Sequence, residues 1–316
     1  MQNGLPMKAN RYRRHSLTKI RISYGHIGLY PFSDKVTNLA SLKYSRQQRK
    51  PMINLSDALK NSPPLQVHAH WDPIADATYN LHKEPENAQL FDLSPNEPVR
   101  EYKGDAFNAF LPSSSVTVGD VWELDLDAVI PFLSQFHPGA TGKLKHGQRG
   151  AFACLRALSE DYADISFRIH AEFTLATRPI PESERRKDED PVERARFIPS
   201  QYAGQLLIDL KTGVICDFSL ALPPRNSNVD INDFGYADMV FVPCMKLHTT
   251  ATKTRDDIAW KSAITPEEAR RCLELKFYKF AEIDWLPLED AVEKAEATQR
   301  PIHAVISWGP LEDESC

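Results

Sequence analysis

Residues 165–175 read ISFRIHAEFTL, and this stretch constrains the fold more than any other. Ile165, Phe167, Ile169, Ala171, Phe173 and Leu175 alternate without a break with Ser166, Arg168, His170, Glu172 and Thr174. A helix would spread that pattern around its circumference. A strand, whose side chains point to opposite faces in turn, gathers the apolar set onto one face. The stretch is therefore expected to form one long strand with one buried face. A strand of this kind is stable only with several others beside it.

The neighbouring chain supplies them. AFACLRALSEDYAD (151–164) fits a helix through Ala151, Cys154, Leu155, Leu158 and Tyr162. It also fits a strand turning at Ser159–Asp164, and the hairpin is preferred. GQLLIDLKTGVICDFSLALPP (204–224) reads as two strands around Lys211-Thr212-Gly213, a good hairpin signal. ADMVFVPCMKLHTT (237–250) reads as another strand, with Pro243 implying an edge or a bulge. SSSVTVGDVWELD (113–125) suggests two short strands about Gly119-Asp120, and LDAVIPFLSQFHPG (126–139) a helix that tolerates Pro131 only near its first turn. ESERRKDEDPVERAR (182–196) has the charge density of a surface loop, and NSNVDINDFG (226–235) reads as a polar turn. Its Asn/Asp alternation is not a calcium loop: Ile231 stands where glycine is needed and no bidentate glutamate follows.

After residue 262 the character changes. Thr265-Pro266-Glu267-Glu268 is a capping box with proline at the first helical position. Ala269, Cys272, Leu273, Phe277 and Phe280 form that helix's apolar face. A second helix starts near Pro287, with Leu288, Ala291, Val292 and Ala295 at helical spacing, and ends before Arg300-Pro301. Ile302–Trp308 is almost continuously apolar, as in a central, doubly buried strand. Gly309-Pro310, an acidic loop and Cys316 follow. Helix, buried strand, loop and cysteine in that order match the start of a thioredoxin-like domain, in which a helix N-terminus lowers the thiol pKa.

The expected fold class is thus α+β. A mostly antiparallel sheet module with helices occupies residues 61–262, and residues 263–316 begin an incomplete thioredoxin-like α/β domain. Residues 1–60 are read as a basic, poorly ordered segment that ends at the linker LKNSPPLQ (59–66). Residues 1–50 hold eleven Lys/Arg against one acid, Asp34, in a chain whose net charge is −5. Such an arm can bind nucleic acid or anionic lipid. It has no nucleic-acid module, and an unpacked leader is the preferred reading. No apolar stretch is long enough to span a membrane and no secretory leader is visible. The five cysteines, at 154, 216, 244, 272 and 316, include no Cys-x-x-Cys pair, and the first four are read as inert thiols, with Cys244 partly exposed. No Gly-x-Gly-x-x-Gly marks a nicotinamide or flavin site.

From about residue 105 onward the chain resembles the selenoprotein N family. The matching segments are GAFACL (150–155), FRIHAEF (167–173), FHPG (136–139), NVD (228–230), EEARRCLE (267–274) and the closing SWGPLEDESC (307–316). In that family the residue after the matching Ser-Cys is selenocysteine, followed by glycine. The resemblance implies a thiol–disulfide oxidoreductase with a Ser-Cys-Sec-Gly redox centre, to which this chain contributes Ser315 and Cys316. Selenocysteine is then expected directly after Cys316 and no separate cofactor. A chain cut at Cys316 is expected to be inactive, with a protein disulfide or thiol as the partner of the full-length form. Animal family members are glycoproteins of the endoplasmic reticulum membrane linked to calcium homeostasis. Without their anchor and EF-hand in view, a soluble, cytoplasmic protein that binds no nucleic acid is expected here.

Two other chemistries compete. Arg168, His170 and Glu172 project from one face of the long strand, as a polar network or as a substrate or partner face. His68 and His70, with Asp72 nearby, form a His-x-His pair that lacks a later ligand at a telling distance. A metal-dependent enzyme using the His-x-His and Arg-x-His-x-Glu groups is one alternative, and a non-catalytic interaction or regulatory protein the other.

Overall fold

The computed structural model describes residues 52–302, apart from 84–93, 138, 142–149, 180–182, 184–191, 200, 224–227, 234–235, 279–281 and 283–285. The basic arm 1–50, the apolar run 303–308 and Ser315 and Cys316, the residues expected at a redox centre, lie outside the described residues. The described fold is α+β: fifteen antiparallel strands in two sheets, with three α-helices. The strands are β1 (Leu65–Trp71), β2 (Asp76–Ala77), β3 (Val99–Tyr102), β4 (Val121–Glu123), β5 (Ala140–Thr141), β6 (Gly150–Leu158), β7 (Tyr162–His170), β8 (Glu172–Pro179), β9 (Val192–Pro199), β10 (Tyr202–Asp209), β11 (Val214–Ala221), β12 (Asn228–Asp233), β13 (Tyr236–Phe241), β14 (Met245–His248) and β15 (Ser262–Ala263). The helices are α1 (Leu126–Phe136), α2 (Pro266–Phe277) and α3 (Leu288–Thr298). A nine-stranded sheet runs β15-β6-β7-β10-β11-β14-β1-β3, with β4 also on β6; a six-stranded sheet runs β2-β13-β12-β9-β8-β5.

The long alternating stretch does form strand, but it divides at Ala171. β7 belongs to the nine-stranded sheet and β8 to the six-stranded one. The chain crosses between the sheets again from β9 to β10, from β11 to β12 and from β13 to β14. Such strand-to-strand passages make the corners of bent, packed sheets. Pro243 is explained in this way. It lies in the 242–244 link between β13 and β14 rather than within a strand, so it deprives no ladder of a donor.

The two sheets share one aromatic core. Phe107, Phe110 and Phe132 pack against Phe167 and Phe218 on the inner face of the nine-stranded sheet. Trp71 joins Phe136, Phe173 and Phe197 at the junction with the other sheet. Each fully buried ring contributes on the order of 1.5–3 kcal/mol over an exposed one. Gly204 lets β10 run beneath the Phe167 ring: a Cβ there would stand 2.1 Å from it.

Several segments differ from their sequence reading. Val192 to Arg196, expected in a charged loop, begins β9, which pairs with β8 and β12. The expected polar turn at 226–235 contains β12, whose Val229 and Ile231 are buried. Pro131 lies well inside α1, not in its first turn. The carbonyl it leaves without a donor is that of Asp127, an exposed residue that water can serve. Packing also begins before residue 60: Ile53 bridges Val116, and Leu55 and Leu59 are fully buried. Three local readings are seen as expected. β6 and β7 form the preferred hairpin, the Lys211–Gly213 turn joins β10 to β11, and Thr265 and Glu268 close both halves of the capping box. α2 is not separate from the module before it. Ala269, Leu273 and Phe277 are buried, the first two against Cys154 of β6 and Phe277 against Phe152. No helix among the described residues is long and apolar enough to cross a membrane.

Candidate functional site

Directly opposed residues of antiparallel strands share a face, so the registers trace the outer face of the nine-stranded sheet. One row runs Phe152, Arg168, Ala203, Ala221, Lys246, His70. The next runs Cys154, Ser166, Gln205, Ser219, His248, His68. The aromatic core lies on the opposite side. The outer face therefore changes along its length from apolar, to neutral polar, to a group of histidines.

At the apolar end α2 covers it. The sequence pointed to Arg168, His170 and Glu172 as a polar face of the strand, and the structure buries all three to about 2% exposure. Arg168 and His170 do share a face, beneath the end of α2. Arg168 Nε donates to His170 Nε2 at 2.8 Å and Nη2 to the Tyr278 hydroxyl at 3.3 Å. The His170 ring stacks on Phe277 with centroids 3.8 Å apart and planes 7° from parallel. The Arg168 guanidinium lies over both Phe277 and Tyr278. Glu172 has crossed into the other sheet, where Arg196 Nη1 stands 3.8 Å from its carboxylate. Burial under aromatic rings makes Arg168 and His170 the joint that fastens α2 to β7.

Beside that joint, between α2 and strands β7, β10 and β11, opens a cleft of about 290 Å³. Ser166, Arg168, Gln201, Gln205 and Ser219 line its sheet side, and Pro266, Arg270 and Leu273 its helix side. Small residues, Ala203, Gly204 and Ala221, floor it. The cleft can take one or two side chains and offers them amide, hydroxyl and guanidinium partners. Among these residues sequence reasoning proposed only Arg168 for a site, because Gln201, Gln205 and Ser219 carry no motif and the last two meet only through strand pairing.

At the far end, β1 and β14 carry the histidines. His68 and His248 face each other across the ladder, with ring centroids 5.7 Å apart. Burial, Lys246 and the two nearby histidines hold the His248 pKa below the usual imidazole range. His70 Nε2 lies 2.8 Å from Asp72 Oδ1. The Cys244 sulfur completes a group in which one donor atom from each of His70, Asp72 and Cys244 lies within 4.8 Å of the others. Cys244 is half-buried, and burial raises its thiol pKa against the opposing charge of Lys246. The sequence-proposed His68, His70 and Asp72 are thus on one face, joined by a cysteine that sequence spacing did not flag. His170 and Glu172 are not with them: β10, β11 and β14 stand between β7 and β1.

Comparison with known proteins gives relatives under one name. Selenoprotein N of Danio rerio is 28% identical over 373 residues, which take in 92% of this chain and 64% of that protein. Selenoprotein N of Homo sapiens and of Mus musculus are each 29% identical over 218 residues, 58% of this chain and 35% and 37% of those proteins. The chain therefore spans less than two thirds of the length of the curated relatives it matches. No family model and no solved structure matches it.

Proposed function

We propose that the chain is a member of the selenoprotein N family, which its 28–29% identity to selenoprotein N of three animals supports, and that it works in thiol–disulfide exchange, with Cys316 as one half of the redox couple. The observation that carries the reading is the segment SWGPLEDESC (307–316), which resembles the family stretch preceding selenocysteine. In this reading a selenolate directly after Cys316 attacks a sulfur of the substrate disulfide. The Se–S bond forms, the substrate S–S bond breaks, and one substrate thiolate leaves. The Cys316 thiolate then attacks the selenium–sulfur bond, closing a selenenylsulfide and releasing the second substrate thiol. An external dithiol reduces the selenenylsulfide and completes the cycle. Ser315 precedes the couple in the motif.

The described module gives this chemistry a scaffold. α2 is packed on the sheet, and residues 307–316 follow α3 in the sequence. The cleft beside α2, with its amide and hydroxyl groups, is the surface we assign to side chains of the disulfide substrate.

Two measurements test the proposal. The nucleotide sequence after the Cys316 codon is expected to show UGA, then a glycine codon in open frame; UAA or UAG would overturn the reading and favour a non-catalytic interaction protein. In the full-length selenocysteine form, Cys316→Ser is expected to abolish turnover and to accumulate a mixed selenenylsulfide with the substrate. Disulfide reduction by that variant at the parental rate would equally overturn it.

A further inference from the structure

We propose that His70, Asp72 and Cys244 form a binding site for a divalent transition metal ion of the zinc class. The site lies on the outer face of the nine-stranded sheet and uses none of residues 307–316.

The argument begins with the backbone. His70 and Asp72 are two residues apart at the end of β1, so they project from the same face. The Asp72 N–H donates to the Cys244 carbonyl at 2.8 Å, which holds the third donor alongside. Asp72 is followed by Pro73 and Cys244 preceded by Pro243, and the fixed φ of each proline stiffens the two ends where the donors sit. β3 pairs β1 only from Leu65 to His68, so its ladder stops short of His70.

The chemistry of the set is selective. Imidazole nitrogen, carboxylate oxygen and thiolate sulfur together are the donors zinc takes in tetrahedral sites, and hard ions such as calcium or magnesium avoid the sulfur. In a tetrahedral zinc centre neighbouring donors stand roughly 3.3–3.6 Å apart, from bond lengths of about 2.0–2.3 Å. The 2.8 Å between His70 and Asp72 must open by about half an ångström, and the sulfur, within 4.8 Å, must close by no more than about 1.5 Å. The His70 and Asp72 side chains are 54% and 36% exposed, so both can make that adjustment. Binding breaks the S–H bond of Cys244 and forms a metal–sulfur bond, and the proton goes to solvent. The −2 of thiolate and carboxylate balances the ion, with Lys246 opposite His70 as the one opposing charge on the adjoining register position. Three protein donors leave a fourth position for water or an external thiolate. The His68–His248 pair sits one step up the same face.

The test uses the purified 316-residue chain with zinc, and with cobalt as a spectroscopic stand-in. One equivalent of zinc is expected to bind, and one equivalent of cobalt to give tetrahedral d–d bands with a sulfur-to-cobalt charge-transfer band. Cys244→Ser is expected to remove the charge-transfer band, and His70→Gln to weaken zinc binding by roughly 100-fold or more, since even groups behind metal ligands are worth 10–100-fold. Both positions are partly exposed, so the far-ultraviolet circular dichroism of each variant should match the parent. Absence of stoichiometric binding would overturn the proposal. So would a charge-transfer band that survives in Cys244→Ser, or zinc binding lost in His248→Ala and unchanged in His70→Gln, which would place the ion on the histidine pair.

Discussion

Asp164 shows how a single residue ties this sheet together. It is fully buried on β7, and its two carboxylate oxygens are taken by Arg156 of β6 and by Arg255, whose Nε stands at 2.8 Å. Arg255 also reaches Asp217 of β11 at 2.5 Å. Breaking a buried pair by deleting one partner leaves the other charge uncompensated, at about 3–5 kcal/mol. Asp164→Ala is therefore expected to lower unfolding free energy by that amount in urea titration; a loss below about 1 kcal/mol would show that the arginines find other partners. Sequence alone does not display such groups. Asp164 looks like a turn residue, and Arg168 and His170 look solvent-facing, because alternation reports that two faces differ and not what covers the polar one. The covering atoms are Phe277 and Tyr278, more than 100 residues away in the chain, and no local pattern says where they land.

At the scale of elements, the helices were legible and the limits of the strands less so. Thr265, Pro266 and Glu268 announce the start of α2 because a cap is a local hydrogen-bond arrangement written in consecutive residues. Thr265→Ala should remove about 1 kcal/mol from the helix, seen as faster amide exchange confined to α2. Exchange that rises equally in β10 would mean that the helix does not open on its own. The end of α1 adds a pH dependence. His137 caps it half-buried, and its Nδ1 accepts the Gly139 N–H at 3.0 Å. Burial lowers its pKa from about 6.5, so below that value the unfolded chain takes up the proton more readily than the folded one. Stability is expected to be full above pH 6.5 and to fall as pH drops below it. His137→Gln keeps an acceptor for Gly139 and should reduce the difference between urea midpoints at pH 7.5 and 5.5, leaving the contribution of His248, which has the same sign. An unchanged difference would remove His137 as its source. Strand limits were harder to read because β7 and β8 make one unbroken alternating stretch. Only the partners of each half, β10 and β9, show that it serves two sheets.

For the whole molecule, the outer face of the nine-stranded sheet joins pieces that sequence order keeps apart. His70 and Cys244 are 174 positions apart, and only the pairing of β1 with β14 makes them neighbours. That is why the His-x-His pair was visible in the sequence and its cysteine was not. The cysteines also offer a test of how the molecule opens. Cys154 is fully buried on β6 beneath Ala269 and Leu273 of α2, whereas Cys244 and Cys272 are half-buried. A buried thiol meets a reagent only when its cover lifts, at a rate that follows the opening equilibrium when closing is fast. Cys154 should therefore react with a thiol reagent well after Cys272, and with a denaturant dependence much shallower than that of global unfolding, since lifting α2 exposes far less surface. Thr265→Ala should then speed Cys154 labelling by about fivefold, the equivalent of 1 kcal/mol, while Cys216, buried among Leu207 and Ile258 away from α2, keeps its rate. Labelling of Cys154 with the full denaturant dependence of unfolding would show that α2 and the sheet open only together, as one cooperative unit.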